Sequence, residues 1–279
     1  MKILVEPKSK IIENIKCDGL ILALNNYAVE SVVYFDLDEI KEIKKSNLEI
    51  FVKVNRNFFN EDIDGLKEVL KELDNIGING VFFYDLAVLQ IKKELDLKLP
   101  LIWNQTHMVN NYRTCDYYYS KGVEYALLGK EITLDEIKEI IEKSKISCMV
   151  EVISIPSVAF SKRKLVTNYY KDLGKDGDKN LLVKEKVTGD FYKVIEDNYG
   201  TCFYLNKITN GTSVIKDLYD VNCPYIILRE YGIDNFNELV DDTYSYVSGG
   251  CIDTDYLSKY EKLGDSTNFF FKKTIYKVK

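Results

Sequence analysis

The chain has 279 residues, 46% apolar and 13% aromatic, with six cysteines, one histidine and a formal net charge of −6. That length suits one α/β barrel of about 250 residues better than two separate cores, and the absence of any run near 18 uninterrupted apolar residues excludes a membrane helix. The acidic balance weighs against a protein whose main task is gripping a phosphate backbone, a job dominated by Lys and Arg, while leaving room for local basic patches.

From the N-terminus, Met1 to Pro7 enters a strand-like run directly, without the basic stretch, apolar stretch and small-residue cleavage site of a leader, so a cytoplasmic location is expected. Short apolar runs then alternate with amphipathic segments, the pattern of parallel strands buried on both faces by crossover helices. The expected strands are 3–6, 19–24, 49–54, 80–84, 99–103, 124–128, 147–153 and 225–229. Eight such runs predict closure into a (β/α) TIM-like barrel. Between them, Asp36 with Glu39 and Thr133 with Glu136 have capping-box spacing, in which side chains satisfy the orphan N–H groups of a first helical turn. Leu66, Val69, Leu70 and Leu73 share one face of the segment 61–77, as do Leu134, Ile137, Ile140 and Ile141 of the next clear helix, and both faces should cover the sheet. The run Tyr117, Tyr118 and Tyr119 falls on a helix and reads as packing.

Between strands seven and eight the pattern breaks. Residues 154–206 hold four glycines, dense charge and short runs at 191–195 and 201–205, which reads as an inserted β-rich excursion. Within it, Asp172, Asp176 and Asp178 mimic a calcium loop, but Gly174 and Val183 occupy positions that need oxygen ligands, so a solvated loop is the better reading. After strand eight, 235–247 and 254–263 read as helices and Phe269 to Val278 as a terminal strand. The whole of 1–279 is expected to be a single barrel domain, with 235–279 as its C-terminal helices and strand.

Barrel chemistry sits at the carboxyl ends of the strands. There the sequence places Glu6, Asn25 and Asn26, Asn55 and Arg56, Asp85, Asn104 and Gln105 with nearby His107, Lys130 and Glu131, Glu151, and Arg229 and Glu230. Glu6 and Glu151 stand out because each lies within or just after an apolar run, where an unpaired carboxylate is costly. Arg56, Lys130, Arg163 and Arg229 are candidate partners, and a carboxylate with cations beside it can hold a polar substrate group or act as a general base. The candidate catalytic set is therefore Glu151, Asp85 and Glu6, with Asn55, Gln105, His107, Arg163, Asn168 and Arg229 for substrate binding. One histidine rules out an HExxH site, and nothing pairs a particular Ser or Cys with His107. The cysteines lie at least 21 residues apart, which reads as reduced, buried thiols rather than disulfides or a local zinc site. Neither GxGxxG nor GxxxxGK[ST] occurs.

Glu151 followed by Ser157, Phe160, Ser161, Arg163, Leu165, Thr167, Asn168 and Tyr169 resembles the signature segment of peptidase family U32, the collagenase-like proteases. The resemblance extends upstream through Val54-Asn55, Tyr84-Asp85-Leu86, Pro100 to Asn110, and Glu131 with Leu134, Glu136 and Ile137. Downstream it takes in the tail Thr274 to Val278. It implies a TIM barrel, and by the family's name a hydrolase that cuts peptides through water activated by Glu151 or by a divalent ion among Glu6, Asp85 and Glu151. Where the family pattern has its two signature cysteines, this chain has Ala159 and Val166. In relatives that hydroxylate RNA or quinone precursors those thiolates help hold an iron–sulfur cluster. Such a cluster is therefore not expected here, and no other cofactor is predicted beyond that divalent cation, which stays open. The alternative to a hydrolase acting through this polar barrel mouth is a cluster-free binding or modification protein related to that branch, using the mouth to hold a small molecule or an RNA base, with Lys162, Arg163 and Lys164 as a basic patch on the excursion. Peptide or small molecule is the expected partner, RNA the alternative, with no membrane; the sequence leaves the oligomeric state open.

Overall fold

The computed structural model describes residues 1–12, 15–105, 108–264, 267 and 269–272. Its elements run in chain order as β1 (Lys2–Glu6), β2 (Gly19–Ala23), α1 (Leu37–Lys44), β3 (Glu49–Val54), α2 (Ile63–Ile76), β4 (Gly80–Phe83), α3 (Leu86–Glu94), β5 (Leu101–Trp103), α4 (Tyr112–Ser120), β6 (Tyr125–Leu127), α5 (Leu134–Lys143) and β7 (Ser147–Ser154). The excursion follows as β8 (Ser157–Ser161), α6 (Leu165–Asp172), β9 (Asn180–Lys184), β10 (Phe191–Glu196) and β11 (Thr201–Leu205). The chain returns through β12 (Thr209–Asn210), α7 (Ile215–Asp220), β13 (Tyr225–Arg229), α8 (Phe236–Ser248) and α9 (Thr254–Tyr260).

Eight parallel strands close a TIM-like barrel in the order β7, β13, β1, β2, β3, β4, β5, β6, with β6 pairing back to β7. All eight fall where the apolar runs placed them, because a strand buried on both faces reads as one apolar stretch. Local chemistry explains the helix ends. Thr133 Oγ1 accepts from Glu136 N while Glu136 Oε2 accepts from Thr133 N at 2.7 Å, and Asp36 N donates to Glu39 at 2.7 Å. At the other end of α2, Gly77 takes the left-handed conformation (φ 69°) that stops a helix without a Cβ penalty. Leu66, Val69, Leu70 and Leu73 are buried against the barrel, as are Leu134, Ile137 and Ile140. Tyr118 stacks on Trp103 with centroids 3.8 Å apart, in keeping with a packing role for that tyrosine.

Strand alternation sorts the remaining buried residues into two populations. One faces the helices. The other, Leu4, Ile21, Phe51, Phe82, Ile102, Leu127, Met149, Tyr225 and Ile227, forms a separate apolar cluster that fills the barrel's interior. Small residues make this filling fit: a Cβ on Gly19 would lie 2.5 Å from the Glu49 carbonyl oxygen.

The excursion is a four-stranded antiparallel sheet in the order β8, β11, β10, β9, as its β-rich character predicts, but it also carries α6, which the sequence reading did not anticipate. The false calcium loop, in the polar part 171–190, takes in the end of that helix, an exposed connection and β9, where Val183 lies. The expected terminal strand is not borne out at its start, since 269–271 form a turn anchored by the Phe270 carbonyl accepting from Leu134 N (3.0 Å). Its remainder, including Thr274 to Val278, lies outside the described residues. Among the described residues no helix is long and apolar enough to cross a membrane.

Candidate functional site

Two residues beyond the apolar interior cluster, the same alternation turns polar. Glu6 follows Leu4, Lys53 follows Phe51, Glu151 follows Met149 and Arg229 follows Ile227, so these four side chains form the next interior layer toward the carboxyl ends. Pairing registers Glu6 directly opposite Arg229. On the other side of Arg229, β7 carries one extra residue after Glu151, a bulge of the kind that re-aims side chains near functional sites.

The layer is a continuous chain of ion pairs. Arg229 reaches Glu151 through Nε at 2.5 Å and Glu6 through Nη1 at 3.1 Å. Lys53 Nζ donates to Glu6 Oε1 (2.9 Å), Ser31 Oγ (2.6 Å) and the Glu30 carbonyl (2.9 Å), so all three of its N–H groups are used. Ser31 in turn donates to Glu6 at 2.9 Å. Lys130 Nζ closes the far end at 2.9 Å from Glu151 Oε1. Burial alone would raise both carboxyls, but Arg229 and Lys53 hold Glu6 below the ordinary carboxylate range, and Arg229 and Lys130 hold Glu151 at about 2. Burial drives Lys53 below the usual lysine range despite Glu6. Arg229 is pushed upward, because Glu151 and Glu6 outweigh its burial. Both carboxylates are thus ionised at neutral pH and already committed to cations, a poor starting point for a general base.

The excursion covers part of this layer. Ile155, Cys202 and Tyr204 form a small apolar cluster, with Ile195 and Tyr231 packed against it. Beneath Ile155 and Tyr204, bounded by Glu6, Ser31 and Arg229, there remains a cavity of about 20 Å³, room for about one water molecule. The sheet is held down by Tyr34, whose hydroxyl donates to Asp197 (2.8 Å), and by Tyr199, whose hydroxyl donates to Asn25 Oδ1 (2.5 Å) and accepts from Asn26 N (2.9 Å).

Open space lies to the side, between the barrel rim and β8. One lobe of about 360 Å³ is lined by Glu30, Asn57, Tyr84, Gln105, Met108 and Ser157 to Phe160. The other, about 410 Å³, is lined by Asn26, Val29, Arg56, Asn57, Phe160, Lys162, Asn198 and Tyr199. Asn57 and Phe160 belong to both. Glu30 links this cleft to the buried layer: its carbonyl takes Lys53, and its carboxylate accepts from the Tyr84 hydroxyl at 2.6 Å. Burial and the neighbouring Glu30 charge push the Tyr84 phenol far above its ordinary range, so it stays a donor.

Of the sequence-derived candidates, the structure brings Glu6, Glu151 and Arg229 together. Asp85 stands apart, capping α3 through Ala87 N (2.9 Å) and holding Phe58 N (2.9 Å). Buried Asn55 accepts from Val29 N at 3.1 Å, and Gln105 donates to the Tyr84 carbonyl at 2.8 Å while lining the first lobe. Arg163 and Asn168 are exposed on the excursion and line neither lobe. His107 lies outside the described residues. Sequence reading missed Lys53, although its position two residues after Phe51 in a strand was a usable signal. Glu30 and Tyr199 lie in loops with no periodicity to read, and Tyr84, at the end of an expected strand and within the family resemblance, carried no sign of a role in the site.

The six cysteines are all buried and free. Burial raises the thiols of Cys17, Cys115, Cys202 and Cys223 to about 12 and those of Cys148 and Cys251 to about 11, so none is a ready thiolate. Ala159 on β8 and Val166 on α6 offer no ligand atom, and among the described residues no three His, Cys, Asp or Glu side chains converge to hold a metal. An iron–sulfur cluster does not fit this donor set.

The sequence profile described as Peptidase family U32 matches residues 16–222. A tRNA hydroxylation protein, P2, of Bacillus subtilis (strain 168) is 27% identical over 264 residues, covering 83% of this chain and 82% of the relative. The tRNA hydroxylation protein P1 of the same organism is 23% identical over 167 residues, 58% of this chain and 40% of that one. Among solved structures, the U32 peptidase Mk0906 superposes with a TM-score of 0.52 at 12% identity, covering 84% of this chain and 94% of the other, a likeness of fold.

Proposed function

The chain belongs to peptidase family U32, and from that membership we propose that it is a cluster-free tRNA-modification protein that holds RNA at the barrel rim, rather than a peptidase. The observation that carries this reading is the similarity to a tRNA hydroxylation protein along more than four fifths of both chains. Charge distribution agrees with it: residues 162–186 hold eight Lys and Arg against four Asp and Glu, in a chain whose net charge is −6. The cleft agrees as well, combining aromatic rings, side-chain amides and cations, the mixture that single-stranded nucleic acid needs.

The peptidase reading draws on the family's name and finds less support in the site. A general base needs a free carboxylate within reach of water, whereas Glu151 is 3% exposed and paired with two cations. Nucleoside mass spectrometry of tRNA from cells with and without the gene tests the proposal. Loss of a hydroxylated nucleoside, restored by the wild-type gene, is the expected result. An unchanged nucleoside profile, together with peptide cleavage by the purified protein that Glu151→Gln abolishes, would overturn it in favour of the hydrolase.

A further inference from the structure

The two lobes of the rim cleft differ in chemistry in a way that matches the two halves of one nucleotide. The first lobe is walled by Val158, Ala159 and Phe160 on β8 and floored by Glu30, Gln105 and Asn57, so it presents an apolar face with hydrogen-bonding groups at its edge. The second holds both cations of the cleft. Arg56 is anchored there by a two-pronged pair with Asp62 (3.1 and 3.0 Å). Lys162 rests on a ring instead, its Nζ 3.4 Å from the Phe59 centroid. Phe160, 37% exposed, stands at the junction of the lobes.

Two of the six non-glycine residues with left-handed backbone among the described residues, Asn26 (φ 66°) and Glu30 (φ 57°), line the cleft. Asparagine adopts that region readily, so Glu30 is the one held there by its surroundings. That conformation turns the Glu30 carbonyl down to Lys53 while its carboxylate meets Tyr84 in the first lobe. Gly200, at φ 148°, lets the β10–β11 turn pass close to Phe160: a Cβ there would lie 3.0 Å from the ring's Cζ. The ring is thereby backed by the chain.

We infer that this cleft takes a single unpaired nucleotide of an RNA strand, its base stacked on Phe160 with its polar edge at Glu30 and Gln105, and its phosphate beside Lys162. Each lobe lies within the range of about 300–1,000 Å³ in which small-ligand pockets fall. A carboxylate at the base edge suits a ring N–H or exocyclic amine, which donates to its oxygens. The inference rests on the RNA reading above and adds to it the place where the base sits.

The test is a cycle of affinities, with a single-stranded RNA pentamer and the same pentamer bearing an abasic ribose at its centre, against wild type, Phe160→Ala and Lys162→Gln, with whole tRNA measured alongside. Removing the base, or removing the ring, should each weaken binding about tenfold, the scale of one base–aromatic stack, and removing both should cost no more than removing one. Lys162→Gln should lower the slope of log affinity against log salt by about one. Should Phe160→Ala fail to fold, Phe160→Leu keeps an apolar side chain on β8 without a ring face and carries the same expectation. If tRNA binds but the intact and abasic pentamers bind alike, or Phe160→Ala weakens both equally, the inference is overturned and the RNA reading stands. If wild type binds neither pentamer nor tRNA, both fall.

Discussion

The buried ion layer and the rim cleft lie next to each other at the same end of the barrel, yet they have opposite characters. In the layer, Glu6 and Glu151 are neutralised by Lys53, Arg229 and Lys130, and the cavity left is about 20 Å³. In the cleft, hundreds of cubic ångströms are open and the walls are rings, amides and a lysine resting on an aromatic face. The charges most conspicuous in the sequence thus brace the mouth, and the surface able to meet a ligand is built from the loops and the excursion above it. A buried ion pair seldom adds net stability over an apolar replacement, but removing one partner strands the other. Polar residues at strand ends can therefore be costly to mutate without being catalytic.

The contrast can be broken most forcefully at Arg229. Replacing it with Met leaves two buried carboxylates without their shared cation and should cost about 3–5 kcal/mol, read as a lowered urea midpoint. A loss below about 1 kcal/mol would mean that the layer is not the brace described. A sharper probe is pH. Arg229 and Lys130 hold the Glu151 carboxyl at about 2, well below its ordinary 4.5, so the stability linked to its ionisation, on the order of 3 kcal/mol at 1.36 per unit, is fully present above pH 4.5 and lost as pH falls toward 2. Glu151→Gln should be less stable than wild type by about that amount at neutral pH, and the gap should close over that acid window. A gap independent of pH would show that the carboxylate's charge is not what matters. Smaller still is Asp85→Ala: loss of the α3 cap should cost about 1 kcal/mol and leave tRNA affinity unchanged, whereas a catalytic Asp85 would show itself as lost activity with little change in stability.

Much of this architecture is legible in the amino-acid order. Buried parallel strands are apolar runs, and a Glu or Arg interrupting such a run has to find a buried partner, which is why Glu6, Glu151 and Arg229 were identifiable and do meet. Lys53 obeys the same rule, and its place two residues after Phe51 is the one mark it leaves in an otherwise apolar run. The cleft was not legible. Phe160 was noted only within the family resemblance, and its wall position depends on how the four-stranded sheet tilts onto the rim. That tilt is set by Tyr34, Tyr199 and Lys162 contacts between segments more than 90 residues apart. Such contacts leave no periodic trace, and a helix as short as α6 inside a charged segment leaves little more.

The most direct test of the account is ultraviolet cross-linking of purified protein to tRNA, with the adducts mapped by peptide mass spectrometry. Adducts are expected on peptides containing Phe160, Tyr199 or Tyr84, lost when unlabelled tRNA competes. Adducts confined to the amino-terminal end of the barrel, or none above background, would contradict it.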